Sequence, residues 1–553
     1  MWLHMIGKLV PKLTELRLRG CGISHAHNLL RSSSPSNYSS SLVTLDLSSN
    51  NLSSSLFQWR FNFSSSLQHL YLQNYSLLSH NLYFLSSYFH FPSLIFLDLS
   101  YNNLTSVMTL NFGSNLQSLY LRNCSLTSNN LIFTSFNPNL SSLLFLDLSD
   151  NQLTSSTIFY WISNFTFNLH ELDLSCNLLN GFILDGIGNI MKSLEDLDLF
   201  YSHLQDEVPT SLGSICTLKS LTLGYNNISG DLQRFISNTS WCDTHSLQTL
   251  DLARNQLTGM LPNLSGFSFL QNLYLYDNQL EGTIPESIGL MSQLKSLLLG
   301  GNNLGGLITE SHFKNLSNLL VISLSHNPLS LEISTSWIPP FQLLSMQMAS
   351  CMIGLNFPIW LRNQHQLFSL DISDGGLSGS VPEWFLPRSK NIYYMNISFN
   401  NFSSEISNLP LKFNYQPIII VNSNNFKGAI PSFLGQASEL HLSENKFSNL
   451  NALVCGQIED GGIVILDLSN NLLNGCLPNC WSQQNTLEFV DFNNNLSGEI
   501  PSSLGLLMNM EALILRNNCL TGELPFSLVY CSKLLLLDVS ENKLFGSIPS
   551  WIG

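Results

Sequence analysis

The stretch Leu270-Gln-Asn-Leu273-Tyr-Leu275-Tyr-Asp-Asn278-Gln-Leu280-Glu-Gly282-Thr-Ile284-Pro285-Glu-Ser-Ile288-Gly289-Leu290 decides how the whole chain is read. Its first half follows L-x-x-L-x-L-x-x-N-x-L. Around Leu273-Tyr274-Leu275 apolar and outward positions alternate, the signature of a short strand with its leucines turned inward. The same spacing returns between Leu13 and Leu534 as about 22 turns of about 25 residues each. A fixed period of this length means that each turn buries its leucines against the next. Parallel strands about 4.8 Å apart would then form one sheet, with an arc of roughly 100 Å for 22 turns.

A chain of 553 residues would ordinarily suggest several domains, but the unbroken period predicts one, residues 1–553. Hydrophobic residues make up 44% and charged residues 11%, enough apolar side chain for a continuous core and too much for disorder. A net charge of −15 argues against nucleic acid or an anionic membrane surface as partner. Ile418-Ile-Ile-Val421 and Leu534-Leu-Leu-Leu537 have the length of core strands, far short of the roughly 18 to 20 apolar residues that cross a bilayer. No membrane segment is expected in this chain.

Asn50, Asn102, Asn151, Asn177, Asn226, Asn255, Asn278, Asn302, Asn327, Asn400, Asn445, Asn471, Asn518 and Asn542 recur where each strand turns inward. An amide there can satisfy buried backbone groups of its own and the neighbouring turn. Cys21, Cys124 and Cys351 stand in its place in three turns. The second half of the turn has the form G-x-I-P-x-x-L-G, as in Thr283-Ile-Pro285-Glu-Ser-Ile288-Gly289 and Glu499-Ile-Pro501-Ser-Ser-Leu504-Gly505. Proline sets φ there, and glycine is expected to close a short helical turn.

The complete unit resembles the plant-specific class of leucine-rich repeats found in receptor kinases, receptor-like proteins and polygalacturonase inhibitors. Pro11-Lys-Leu-Thr-Glu-Leu-Arg-Leu-Arg-Gly-Cys21, Trp241-Cys242 and Leu477-Pro-Asn-Cys480-Trp481 are similar to segments of receptor-like proteins of the fungal-xylanase receptor group. The resemblance implies an α/β fold, a leucine-rich-repeat solenoid curved as a right-handed superhelix with a parallel β-sheet on its concave face. It also implies a plasma-membrane protein with an extracellular ligand-binding region. An N-terminal cap, a C-terminal island, a transmembrane helix and a cytoplasmic tail are not visible, nor is a signal peptide at Met1. The expectation is therefore a truncated ectodomain.

Sequons at Asn37, Asn51, Asn62, Asn74, Asn103, Asn123, Asn139, Asn164, Asn227, Asn238, Asn263, Asn315, Asn396, Asn401 and Asn495 fit a chain that enters the secretory pathway, although a Ser- and Asn-rich repeat also makes sequons by chance. The chain has eleven cysteines. Cys216 with Cys242 and Cys455 with Cys480 each flank one turn, and the resemblance favours both as disulfides. In the rival reading Cys216 and Cys531 are ordinary buried thiols.

No catalytic residue, cofactor or metal is expected. His25-Ala-His27 has no carboxylate or thiol at ligand spacing, and Cys476 to Cys480 lacks the second pair of a zinc site. Asp46, Asp98, Asp147, Asp173, Asp198, Asp251, Asp371, Asp467, Asp491 and Asp538 form a column between the two strand leucines, read as exposed and as an acidic inner face. Recurrence in turn after turn is the opposite of a single acid–base site. Recognition is expected where the column is interrupted. The candidate ligand contacts are Tyr71, Tyr120 and Arg122 in one place, and Tyr274, Tyr276, Leu298 and Gln347 in another.

The expected function is that of a receptor-like ectodomain in defence or developmental signalling. It would bind a peptide, protein or glycan on the concave face and act through a partner receptor kinase. The alternatives are a secreted inhibitor of a pathogen glycosidase and a truncated, non-signalling product.

Overall fold

The structure is a computed structural model. It describes residues 12–22, 41–50, 65–74, 91–104, 115–128, 142–154, 158–163, 168–238, 246–456 and 462–552. These residues fall in two compact units, Met1–Glu281 and Gly282–Gly553.

In the first unit the strands Glu15–Arg17, Thr44–Asp46, His69–Tyr71, Phe96–Asp98, Ser118–Tyr120, Phe145–Asp147, Glu171–Asp173, Asp196–Asp198, Ser220–Thr222, Thr249–Asp251 and Asn272–Tyr274 follow one another, one per turn. Neighbours pair in parallel with leucine on leucine, as in Leu45↔Leu70 and Leu172↔Leu197. In the second unit the same role falls to Ser296–Leu298, Val321–Ser323, Ser345–Gln347, Ser369–Asp371, Tyr394–Asn396, Ile418–Ile420, Glu439–His441, Ile465–Asp467, Phe489–Asp491, Ala512–Ile514 and Leu536–Asp538. Apart from the terminal strands Glu15–Arg17 and Leu536–Asp538, each has a buried middle residue. Full burial of such a leucine contributes about 1.5–3 kcal/mol, so each turn is held chiefly by contact with its neighbours.

The asparagines hold the turns together through hydrogen bonds. Asn151 Nδ2 donates to Leu148 O in its own turn and to Leu121 O in the turn before, both at 2.9 Å. Its Oδ1 accepts from the Cys124 and Leu126 amides, also at 2.9 Å. One buried amide thus satisfies four backbone groups that leucine would orphan. Two residues not anticipated from the sequence, Asn424 and Asn494, bond in the same way. Asn494 restores the ladder in a turn where the asparagine follows Phe492 by two positions instead of the three between Leu275 and Asn278. Where cysteine replaces asparagine, the Cys124 and Cys351 thiols reach the carbonyls of Leu99 and Leu324 at 3.2 Å. Burial pushes these thiols up to about 12 and about 11.

The second half of the turn corrects one expectation. Proline does precede a short 3-10 helix, as at Pro285 before Glu286–Leu290 and Pro501 before Ser502–Leu506. The glycine that follows lies inside the helix and is not a left-handed terminus. It is needed for clearance, because a Cβ at Gly289 would stand 2.3 Å from Ser311 O and one at Gly505 would stand 2.2 Å from Ser527 O. The left-handed glycines are those before the I-P pair, such as Gly428 (φ 82°) and Gly498 (φ 76°). They belong to short parallel pairings beyond the asparagine, Lys427–Ala429 with Lys446–Asn449 and Asn474–Cys476 with Asn495–Glu499. The sequence reading did not anticipate these.

Cys455 and Cys480 are joined by a disulfide in the second unit. Cys216 is disulfide-bonded as well, and Cys242, proposed as its partner, lies outside the described residues. Cys531 is a buried free thiol. His25 and His27 lie outside the described residues.

Candidate strand-face recognition site

The side chains beside the buried leucines form the strand face. The aspartate column proves to be less exposed than its sequence position suggests. Each of its ten carboxylates is turned onto its own chain, where one oxygen accepts the amide two residues later. Asp46 takes Ser48 N at 2.9 Å, Asp198 takes Phe200 N at 2.9 Å and Asp467 takes Ser469 N at 3.0 Å. The aspartate therefore fastens the turn that follows the strand, and Asn396 does the same with Ser398 N at 3.1 Å. Asp98 is buried outright, while Asp147, Asp173, Asp198 and Asp251 are half-buried.

Strand register gathers the carboxylates of the first unit. Asp147 pairs with Asp173 and Asp173 with Asp198, while Glu171 pairs with Asp196 one row away. Burial raises the pKa of Asp147, Glu171, Asp196 and Asp251. Burial, reinforced by the charges of Asp173, Asp196 and Asp251 against the opposing Phe200 amide, pushes Asp198 up to about 7.

Aromatic side chains stand on both sides of this acidic stretch. On one side the Phe96 ring lies between Tyr71 and Tyr120, with centroids at 4.7 and 5.3 Å, and His69 approaches it at 6.2 Å. Phe96, one row from the tyrosines, is what unites them. Arg122 pairs with Asp150 at 2.8 Å. On the other side Phe200 packs on Tyr225 at 4.8 Å, and the Arg254 guanidinium lies 4.7 Å over the Tyr225 ring. Arg254 Nε also holds Asp277 at 3.0 Å. Burial raises the Tyr276 pKa, and the neighbouring Tyr225 hydroxyl adds to the rise. Tyr274 lies beside Asp251 in register.

Of the residues singled out from the sequence, the structure thus brings Tyr71 and Tyr120 together through Phe96, and Tyr276 onto Tyr225. Leu298 and Gln347 belong to the second unit, where Gln347 Nε2 donates to Ser369 Oγ at 2.8 Å. Phe96, Phe200, Tyr225 and Arg254 were missed. Reading the positions that flank the strand leucines would have exposed Phe96 and Phe200, and reading one residue further along would have exposed Tyr225 and Arg254.

The sequons Asn74, Asn103, Asn123, Asn227, Asn263, Asn315, Asn401 and Asn495 are exposed; Asn401 and Asn495 open the short strands Asn401–Phe402 and Asn495–Glu499, and the others lie outside the strands. Asn396 lies on a strand, half-buried, with its amide on Asp371 at 3.2 Å and its oxygen on Ser398. Asn238 ends the helix Leu232–Asn238. Asn37, Asn51, Asn62, Asn139 and Asn164 lie outside the described residues. No helix among the described residues is long and apolar enough to cross a membrane.

This architecture is that of a leucine-rich-repeat protein, and the Leucine Rich Repeat family model matches residues 41–62, 168–190, 246–267 and 269–291. The chain carries leucine-rich repeats and is similar to plant receptor-like proteins. It is 35% identical to Receptor-like protein EIX2 of Solanum lycopersicum over 61% of its length and 40% of that protein's. It is 34% identical to Receptor-like protein EIX1 of the same plant over 50% and 34%. The chain thus spans well under half the length of these curated relatives. Among solved structures, the plant peptide hormone receptor RGFR1 in complex with RGF2 matches with a TM-score of 0.66 and 26% identity, over 88% of this chain and 80% of that one. A TDR receptor matches in fold with a TM-score of 0.62 at 22% identity, over 80% and 83%.

Proposed function

We propose that the chain is the ligand-binding ectodomain of a plant cell-surface receptor-like protein, in defence or developmental signalling, acting through a partner receptor kinase. One observation carries the reading. The first unit displays a half-exposed strand face of tyrosines, phenylalanines and carboxylates. Aromatic rings on an accessible sheet favour contact with a partner. The similarity to EIX2 and EIX1 and the peptide held by RGFR1 support the same role.

The reading requires passage through the secretory pathway. Expressed in plant cells behind an added secretion signal, the full chain should carry glycans and gain mobility in a gel after treatment with an N-glycosidase. Unchanged mobility would count against an extracellular ectodomain.

A further inference from the structure

Beside its strand face, the second unit exposes a set of aromatic rings that touch one another. Phe368 and Tyr393 immediately precede the paired strands Ser369–Asp371 and Tyr394–Asn396, and Tyr415 lies three residues before the next strand, Ile418–Ile420. They leave 40%, 43% and 52% of their surface to solvent, although rings of this size are ordinarily mostly covered. Phe368 and Tyr393 stack with centroids 5.3 Å and planes 10° apart, and Tyr415 meets Phe368 edge-on at 5.5 Å. Single exposed apolar residues are ordinary, but a touching set rimmed by polar groups marks a contact surface.

The rim is basic. His365, Lys390 and Lys412 each stand three residues before one of the rings. Arg388 Nη1 reaches the His365 ring, Asn391 Nδ2 donates to His365 O at 3.4 Å, and Asn414 N donates to Lys390 O at 2.8 Å. These bonds set the three segments side by side. Residues 363–370, 385–394 and 407–418 contain no aspartate or glutamate, in a chain of net charge −15. Arg388 and Lys390 are exposed, and neither is within ion-pair distance of a carboxylate among the described residues.

We propose that this edge docks an acidic, apolar segment of a partner protein, its apolar side chains on the three rings and its carboxylates on Arg388 and Lys390. The proposal does not depend on the receptor reading. Charge selects the occupant, because uncompensated cations favour an anionic partner and repel a basic one. Ring geometry separates a peptide from an acidic sugar chain. A sugar stacks on a free ring face, whereas Phe368 and Tyr393 turn faces on each other. Ring edges carry the positive end of the quadrupole and suit a carboxylate.

The test is anisotropy titration of the full chain at about 0.15 M salt, which screens diffuse attraction. The probes are labelled peptide amides of alternating Glu-Leu, Glu-Ser and Lys-Leu, and a labelled galacturonate oligomer. Glu-Leu should bind about tenfold more tightly than Glu-Ser or the galacturonate, and Lys-Leu should not bind. Phe368→Ser, and separately Arg388→Glu with Lys390→Glu, should each weaken Glu-Leu about tenfold, whereas Tyr393→Phe, which keeps the ring, should bind like the parent. These side chains are exposed, so the variants should keep the parent's urea midpoint. Absence of Glu-Leu binding, equal binding of Glu-Ser, or galacturonate bound as tightly would overturn the proposal. So would variants that fold like the parent and bind Glu-Leu undiminished.

Discussion

On the first unit, the strand face from Phe145–Asp147 to Asn272–Tyr274 carries Asp147, Glu171, Asp173, Asp196, Asp198 and Asp251, closed on one side by Phe200, Tyr225 and Tyr276. On the second unit, the equivalent positions between Ile418–Ile420 and Ala512–Ile514 are held by Ile418, Ile420, Ile465, Phe489 and Ile514, with Glu439, Asp467 and Asp491 among them. Beneath both faces the interior is the same, with a buried leucine or its equivalent in each strand and an asparagine bonded to two turns. The interior repeats because every turn has the same backbone groups to satisfy and the same neighbour to pack against. The outward positions face no such demand, so they can diverge between units, and recognition is free to reside in one of them.

The largest effects should fall on what the units share. Asn151→Ala in the first unit and Asn445→Ala in the second each strip partners from several buried backbone groups, at about 1–3 kcal/mol per group. Each should lower unfolding free energy by about 3 kcal/mol or more, read from the urea midpoint of its own unit's transition. Sensitivity in one unit only would break the idea of a common interior.

Next in size is a feature of the second unit alone. The Cys455–Cys480 bridge spans 25 residues, a loop whose closure is worth about 3 kcal/mol. The double change Cys455→Ser with Cys480→Ser should destabilise by about that much in chemical denaturation, with the first unit's transition unchanged. A shifted first transition would show that the two units are not independent.

A smaller effect comes from pH. The Asp198 pKa is raised from 3.8 to about 7 in the folded chain. The stability it contributes is fully present below its unfolded value and is lost as pH rises through about 7. Asp147, Glu171, Asp196 and Asp251 shift in the same direction. Asp198→Asn keeps the acceptor for the Phe200 amide, as Asn396 does for Ser398. It should therefore raise the melting temperature at pH 8 and leave it nearly unchanged at pH 4, which a pair of thermal scans would check. The smallest expected effects are null ones. Ile420→Ser, on the strand face, should leave Glu-Leu peptide affinity within about twofold, under 0.5 kcal/mol, and Asn396→Gln should not change the glycosylated chain's mobility.

The fold was legible because each turn restates it. The leucine spacing gave the strands and their register, and the inward asparagines gave the ladder. What escaped depends on distances between turns that a single turn does not encode. Gly289 was read as a helix end because its neighbour Ser311 is far along the chain, although that carbonyl is what excludes a Cβ. The aspartates were read as exposed because alternation reports which way a side chain leaves the strand. It does not report that Asp198 then folds back onto the Phe200 amide. The candidate site was legible only in part. Tyr71 and Tyr120 broke a visible column and Tyr276 stood beside its break at Tyr274, whereas Phe96 and Tyr225 lie off the column and matter because their rings reach across turns.

On the receptor reading, recognition lies on the strand face of the first unit. It is tested most directly by carbodiimide labelling of carboxylates in the full chain, with and without the tightest-binding peptide selected on it from a random library, mapped by mass spectrometry. Labelling of Asp198 and Asp251 should fall several-fold while that of Asp467 and Asp491 is unchanged. Equal protection in both units, or protection confined to the second, would contradict it.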